Sequence, residues 1–268
     1  MRYLVFGDVH ANLLALDAVL AAGKERGVEA YLFVGDLVGY GPNPLECIER
    51  LKPWADNGSF AWVAGNHELA LRGDVETTAY SPEAIQTLTW TWKQIEDKPW
   101  AKEFIESPYL TTCVNDTIWL THDSLANPSS GGYHRHARNA KSELASLRHN
   151  RGRVCFYGHT HTIRAEISEI EKPVVLVPMV AHEGEGRDPK PVKLKPEELG
   201  WIGTGSTGFP TNPKRQPEYL ILDEQDGNEW LIEKYEVDYP RKDAKERVKQ
   251  ILGPVCDKGI ADRIAGWL

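Results

Sequence analysis

The chain has 268 residues, a formal net charge of -8, 41% hydrophobic residues and 26% charged residues. We therefore predict that residues 1–268 form one globular domain with a buried core, without the basic surface that broad nucleic-acid binding requires. No apolar run is long enough to span a membrane, and the four cysteines form no C-x-x-C pair, so we expect a cytoplasmic protein with reduced thiols.

Short apolar runs recur along the chain, and each ends at a polar residue that could bind a metal. Such runs predict buried strands. A helical pattern lies between the first two and stops at Gly27, and further helices are predicted after Asn43-Pro44 and Ser81-Pro82. The chain thus opens β-α-β-α-β. The five runs are Tyr3–Phe6, Tyr31–Val34, Phe60–Ala64, Ile118–Thr121 and Val154–Tyr157.

After residue 165 the pattern of predicted elements changes. Alternating strand-like segments without long helices predict an antiparallel second sheet, while the polar stretch 182–200 predicts a long loop. Two short helices are expected near the end. The strand-like segments lie at 165–170, 173–180, 218–224 and 228–237, and the helices at 244–252 and 257–267.

The strand ends carry carboxylates, imidazoles and one amide. This mixed nitrogen and oxygen set favours transition metals over magnesium or calcium. Eight groups are too many for one tetrahedral ion but suit two ions about 3.5–4 Å apart. A single Asp or His in such a place is usually a turn former or a surface residue, so the prediction depends on their joint occurrence. The set is Asp8, His10, Asp36, Asn66, His67, His122, His159 and His161.

The order of these residues resembles the calcineurin-like metallophosphoesterases. The matching blocks are Asp8-Val9-His10, Gly35-Asp36, Gly65-Asn66-His67-Glu68, His122 and Gly158-His159-Thr160-His161, and "GDLVGYGPNP" at 35–44 is similar to the small prokaryotic cytoplasmic branch. The resemblance implies a four-layer αββα sandwich of two mixed β-sheets flanked by helices. It also implies a hydrolase for a phosphodiester, nucleotide or other phosphate ester or anhydride, in which a metal-bridging hydroxide attacks at a dinuclear site.

The resemblance also implies a role for each residue. Two divalent transition ions are expected, with manganese first and iron, zinc, nickel or cobalt as alternatives. One would be held by Asp8, His10, Asp36 and His161, and the other by Asp36, Asn66, His122 and His159. Asp36 would be the shared catalytic ligand. His67 would contact the substrate together with Asn66 and protonate the leaving oxygen or stabilise its charge. Glu68 either orients a neighbour or starts a helix.

The spacing of His159 and His161 carries a separate expectation. Side chains two apart in an extended strand leave on the same side. If the strand that ends at Tyr157 continues, both imidazoles therefore face the same centre.

The substrate is less constrained than the site. A dinucleoside polyphosphate hydrolase, a protein phosphatase and a non-catalytic interaction module on this scaffold are the alternatives. No arginine follows Asp36 at 37–44, which argues against a phosphoprotein substrate, and the presence of His67 argues against the interaction module. Two departures from the family pattern, at 203–211 and at His122-Asp123, bear on specificity.

Two segments are candidate cap or loop elements, 131–153 and 182–200. The first is locally basic, and we expect Arg135 and Arg138 on a solvated helix face, with contact to a polyphosphate chain as the alternative. We expect a small phosphate ester or nucleotide as the ligand and no membrane partner.

Overall fold

A computed structural model of the chain describes residues 1–128, 140–169, 172–179, 191–225 and 229–268. Within these residues, no helix combines the length and hydrophobicity that crossing a bilayer requires. The elements, numbered in chain order, are β1 (Arg2–Phe6), α1 (Leu13–Glu25), β2 (Ala30–Phe33), α2 (Pro44–Asn57), β3 (Phe60–Trp62), α3 (Asn66–Arg72), α4 (Pro82–Ile95), α5 (Pro99–Glu106), β4 (Thr111–Val114), β5 (Ile118–Thr121), α6 (Ala140–His149), β6 (Val154–Tyr157), β7 (Ile163–Glu169), β8 (Val175–Val177), β9 (Val192–Leu194), β10 (Glu198–Thr204), β11 (Glu218–Glu224), β12 (Trp230–Glu236), α7 (Arg241–Leu252) and α8 (Ile260–Trp267).

The strands form two mixed six-stranded sheets. The first has the order β3-β2-β1-β11-β12-β9, with parallel pairing among β1, β2 and β3 and antiparallel pairing elsewhere. The second has the order β4-β5-β6-β10-β7-β8, with β5, β6 and β10 parallel to one another. The predicted β-α-β-α-β opening is confirmed.

Alternation along the strands divides the apolar side chains between layers. In β1, Tyr3 and Val5 enter the core between the sheets, whereas Leu4 and Phe6 face the helices on the other side. Helices α1, α2 and α5 cover that outer face of the first sheet, and α6 covers the outer face of the second. The predicted four-layer sandwich is confirmed.

The predicted second sheet is wrong in its membership. Segments 165–170 and 173–180 do contribute β7 and β8 to it, but β11 and β12 lie in the first sheet, where β11 pairs with β1. Period-two alternation indicates a strand without indicating its partner.

The prediction of a long loop at 182–200 is also wrong in its second half. Residues 182–190 lie outside the described part of the chain, but β9 lies at 192–194 and β10 begins at residue 198. Strand β10 lies between β6 and β7, inside the second sheet. The segment 131–153 divides similarly: residues 131–139, with Arg135 and Arg138, are not described, whereas α6 packs on the second sheet through Leu144 and Leu147.

Candidate metal centre

The polar residues predicted as ligands converge at one edge of the sandwich. Strands β1, β2 and β3 are parallel, as are β5 and β6, so the loops after them leave at their carboxyl ends. Six of the eight side chains are buried and two are half-buried, the latter being those of His159 and His161. The structure brings all eight together.

One group of ligand atoms comes from the loops after β1 and β6. The ligand atoms of Asp8, His10 and His161 lie within 4.8 Å of one another. His161 Nε2 is 3.2 Å from Asp8 Oδ1 and 3.1 Å from His10 Nε2. These three side chains therefore present two imidazole nitrogens and one carboxylate oxygen to a common point.

A second group comes from the loops after β2, β3, β5 and β6. The ligand atoms of Asp36, His122 and His159 also lie within 4.8 Å of one another. Asn66 joins them, since its Oδ1 is 3.0 Å from His122 Nε2 and 2.9 Å from His159 Nδ1.

Asp36 connects the two groups. Its Oδ2 lies 3.3 Å from His122 Nε2 and 3.7 Å from His10 Nε2, while its Oδ1 accepts the His67 backbone N–H at 2.9 Å. One carboxylate oxygen thus faces an imidazole of each group.

Backbone carbonyls fix the tautomers of three histidines. The Nδ1 atoms of His10, His122 and His161 lie 3.3, 2.7 and 3.0 Å from the carbonyl oxygens of Val38, Val34 and Phe209. A carbonyl can only accept, so each Nδ1 carries a hydrogen and each neutral ring has its lone pair on Nε2. Two such Nε2 atoms face each other 3.1 Å apart in His10 and His161. A proton on one of the two rings, or a divalent metal bound by both, would satisfy nitrogens at this distance, and the imidazole and carboxylate donors of this group fit a divalent metal.

Burial and the neighbouring charges shift the pKa values of Asp36, His122 and His159 in different directions. Burial opposes ionisation of Asp36, but the charge of His122 holds the pKa of Asp36 well below its usual range. Burial also lowers the pKa of His122, yet the Asp36 carboxylate outweighs it and raises that pKa to about 10. Burial and the charge of His122 lower the pKa of His159 to about 4, which keeps His159 neutral and able to coordinate.

The backbone at the site is strained. Seven of the eleven described non-glycine residues with positive φ lie here, although such φ values disfavour L side chains. The concentration of strain at one edge is typical of a functional site. The seven are Asp8, His10, Ala11, Asp36, Tyr40, His159 and His161.

The expectation from strand alternation at His159 and His161 is wrong. Strand β6 ends at Tyr157, and the two histidines have φ of 62° and 52°, so the extended conformation does not continue. The left-handed turn directs His159 to the group with Asp36 and His161 to the group with Asp8.

Buried glutamates hold two of the ligand-bearing loops. Glu68 accepts the backbone N–H groups of residues 36, 37, 38 and 65 at 2.8–3.2 Å, so it both opens α3 and orients the Asp36 loop. Burial and the Asp36 charge raise the pKa of Glu68 to about 7. Because each oxygen already accepts two N–H groups, a proton on either would displace a donor, and we take Glu68 as ionised. Glu143, which the sequence reasoning missed, accepts from Ser124 Oγ and the N–H groups of Leu125 and Ala126 after His122.

His67 lies beside both groups. Its side chain is buried, and its Nδ1 has no hydrogen-bond partner among the described residues. Gly39 leaves room for the ring, since a Cβ there would stand 1.9 Å from that Nδ1. Tyr80 supports the same segment by donating its hydroxyl to the Asn66 carbonyl at 2.8 Å.

The segment 203–210 forms hydrogen bonds with Asp8 and His161, two of the candidate ligands. Ser206 Oγ and the Gly208 N–H both donate to the Asp8 carbonyl at 2.9 Å, and the Phe209 carbonyl accepts from His161. The departure of this segment from the family pattern predicted a bearing on specificity, whereas its described contacts position the candidate ligands Asp8 and His161. Asp123, the other departure from the family pattern, lies with Asn66, His122 and His159 around a small cavity.

Comparison with known proteins agrees with this arrangement. The sequence model of the family described as calcineurin-like phosphoesterase matches residues 1–162. An uncharacterized protein of Methanocaldococcus jannaschii is 28% identical over 267 residues, covering 98% of this chain and 94% of that protein. A symmetrical bis(5'-nucleosyl)-tetraphosphatase of Psychromonas ingrahamii is 32% identical over 103 residues, covering 34% of this chain and 37% of that enzyme.

Two solved structures share the whole architecture. The crystal structure of a metallophosphoesterase from Sphaerobacter thermophilus has a TM-score of 0.70 and 26% identity, covering 100% of this chain and 99% of that one. A hypothetical protein from Pyrococcus horikoshii OT3 has a TM-score of 0.67 and 18% identity, covering 98% and 97%. At 18% identity, the similarity to the Pyrococcus horikoshii protein shows a shared fold and nothing about its activity.

Proposed function

The chain belongs to the calcineurin-like phosphoesterase family, and we propose that it hydrolyses a phosphate ester or phosphoanhydride at a centre for two divalent metal ions. The observation that carries the proposal is the position of Asp36, whose Oδ2 faces an imidazole from each ligand group. A carboxylate in this position fits a site for two ions about 3.5–4 Å apart, the spacing of two-metal phosphoesterases.

Each proposed ion has its own ligands. One would be held by Asp8, His10 and His161, the other by Asn66, His122 and His159, and Asp36 would serve both. Ions bound there would supply positive charge for the phosphoryl oxygens and lower the pKa of an attacking water. Imidazole, carboxylate and amide donors suit manganese, iron, zinc, nickel or cobalt, and we propose manganese as the first metal to test.

His67 is the proposed proton donor for the leaving oxygen. Its backbone N–H is bound to Asp36, so the residue is fixed relative to the proposed ions. Burial lowers the pKa of His67, while the Asp36 charge opposes this. The negative charge of a bound phosphate would counteract this lowering and favour the protonated form. Asn66 would assist by placing a neutral oxygen, without added negative charge, beside the substrate.

The substrate class has one specific second candidate. The partial match to a bis(5'-nucleosyl)-tetraphosphatase supports a dinucleoside polyphosphate, in which the broken bond is a phosphoanhydride. The absence of arginine at 37–44 leaves a phosphoprotein less favoured. A panel of phosphodiesters, mononucleotides, dinucleoside polyphosphates and phosphopeptides would separate these classes.

The wider setting is also proposed. We propose that residues 1–268 form one domain, since both sheets supply ligand loops to the same site. All four cysteines are free thiols, which supports a reducing, cytoplasmic location.

The first experiment measures hydrolysis of bis-p-nitrophenyl phosphate with added manganese. We expect metal-dependent activity in the wild type and at least roughly a hundredfold loss in Asp36→Asn. Asp56→Asn, which changes an exposed carboxylate on α2, is the matched control. Equal activity in the wild type and Asp36→Asn, or none in either, would refute the proposal.

A second variant tests the role of His67. His67→Ala should lower turnover by about a hundredfold or more while metal content stays at the wild-type level. Loss of metal in that variant would mean that His67 is a ligand and not a proton donor.

A further inference from the structure

Tyr40 lies in contact with both reactive parts of the site. Its ring centroid is 4.9 Å from that of His10 and 4.8 Å from that of His67. Its backbone has φ of 57°, which is unfavourable for a bulky side chain, and is held by an N–H bond to Thr87 Oγ1 at 3.0 Å. An aromatic ring kept beside two histidines at this cost suggests a role beyond packing.

Trp267 continues the aromatic row away from the centre. Its ring is perpendicular to that of Tyr40 at 5.4 Å and lies 6.4 Å from that of Phe209, which itself contacts His10. Trp267 is nevertheless 37% exposed, whereas Phe209 is buried. The row therefore runs from the ligand groups to an indole that solvent, or a ligand, can reach.

The position of Trp267 is fixed by its neighbours. The next residue, Leu268, is buried, and its carbonyl accepts from Arg241 Nε. Arg263, one turn earlier on α8, forms an ion pair with Glu83 on α4. The exposed indole is thus part of an ordered helix end, so little order has to be gained when a flat group stacks on it.

We propose that Tyr40 and Trp267 form a stacking subsite for a planar aromatic group attached to the phosphate of the substrate. This inference rests on the proposed function, because it requires the phosphate to bind at the metal centre beside His67. The aromatic group would extend from the phosphate along Tyr40 and stack on the exposed indole. The subsite thus favours esters of nucleosides or aryl alcohols over esters of sugars or aliphatic alcohols.

Stacking of one base on an aromatic side chain strengthens binding by roughly 5- to 150-fold. The test uses calorimetric titration of the manganese-loaded protein, so it does not depend on turnover. The phosphonate analogue of adenosine monophosphate, in which a methylene replaces the 5′ ester oxygen so that it is not hydrolysed, is compared with the same analogue of ribose 5-phosphate, and phenylphosphonate with methylphosphonate. Inorganic phosphate, which has no organic group, is the reference against which each affinity is expressed.

In at least one pair, we expect the wild type to bind the aromatic ligand roughly 5- to 150-fold more tightly than its non-aromatic counterpart. A preference within the adenosine pair alone indicates a nucleobase, and one within both pairs indicates any aryl group. The preference should fall close to one in Trp267→Leu and largely persist in Trp267→Phe, which keeps a ring. Trp100→Leu, at a partly buried tryptophan on α5, is the control and should keep it.

Two results would refute the stacking subsite, and a third would instead contradict the proposed phosphoesterase function. A wild type without preference in either pair, or a preference that survives Trp267→Leu, refutes the subsite. Failure of inorganic phosphate to bind the manganese-loaded wild type instead contradicts the proposed function itself.

Discussion

Replacing Gly39 with alanine should displace the His67 ring. The added Cβ would stand 1.9 Å from His67 Nδ1 and 2.7 Å from Cε1, whereas ordinary contacts of a Cβ begin at 3.4 Å, so the ring must move by about 1.5 Å. A displacement of this size at a reacting group costs about a hundredfold in rate. We therefore expect kcat for bis-p-nitrophenyl phosphate to fall by about a hundredfold while metal content is retained.

The same substitution has a backbone effect that must be separated from the contact with His67. Gly39 has φ of +85°, and alanine there costs about 1–2 kcal/mol of folding free energy, with about 1–3 kcal/mol more for the overlap. Gly27 has φ of +67° and nothing within 4 Å of its added Cβ, so Gly27→Ala carries the backbone cost alone. Guanidinium unfolding, metal analysis and kcat are measured for both variants. Wild-type kcat in Gly39→Ala, or an equal loss in Gly27→Ala, would refute the reasoning.

Two further predictions concern the Asp36 loop and the protonation of the site. Glu68→Ala removes the acceptor of four backbone N–H groups, each worth about 1–3 kcal/mol when left unpaired, and relief of a buried charge offsets part of this. We expect the unfolding free energy to fall by at least about 2 kcal/mol in Glu68→Ala, and to change by no more than about 0.5 kcal/mol in the control Glu49→Ala, which alters an exposed side chain. Similar values for the two variants would show that Glu68 does not hold the Asp36 loop. Because the pKa of His122 is raised to about 10, its ring carries a second proton at pH 8, and this proton must leave if the ring is to bind a metal. Calorimetry in buffers of different ionisation enthalpy should therefore detect proton release, and apparent affinity should rise with pH towards 10; binding without proton release would show that His122 does not coordinate.

The proposed ligand residues could be predicted from the sequence because their signal is local. An apolar run followed by Asp8 or Asp36 marks the end of a buried strand, and parallel strands bring such ends to one edge. The structure brings together every side chain predicted in this way.

Other features depend on contacts between residues that lie far apart in the chain. Strand β10 contains Gly203, which reads as part of a glycine-rich loop, but its missing Cβ is what allows close approach to the Thr162 carbonyl. The left-handed turns at His159 and His161 are likewise set by their surroundings: the His159 N–H donates to the Asp8 carboxylate at 3.0 Å, and His161 is held by Phe209. Residue alternation contains neither constraint.

The proposed role of Tyr40 could be inferred only from the structure. The sequence shows only an aromatic residue between Gly39 and Gly41. The fold shows that the first glycine leaves room for His67 and that a Cβ on the second would meet the His10 carbonyl at 2.2 Å. Both glycines thus permit the close packing that places Tyr40 beside the two histidines.

Counting the metal ions bound per chain tests the central claim most directly. The protein is loaded with manganese, freed of unbound metal by gel filtration and examined by elemental analysis. The account predicts about two ions per chain in the wild type and fewer than one in Asp36→Asn, because both proposed ions share that carboxylate. One ion or none in the wild type, or two retained in Asp36→Asn, would contradict a paired centre bridged by Asp36.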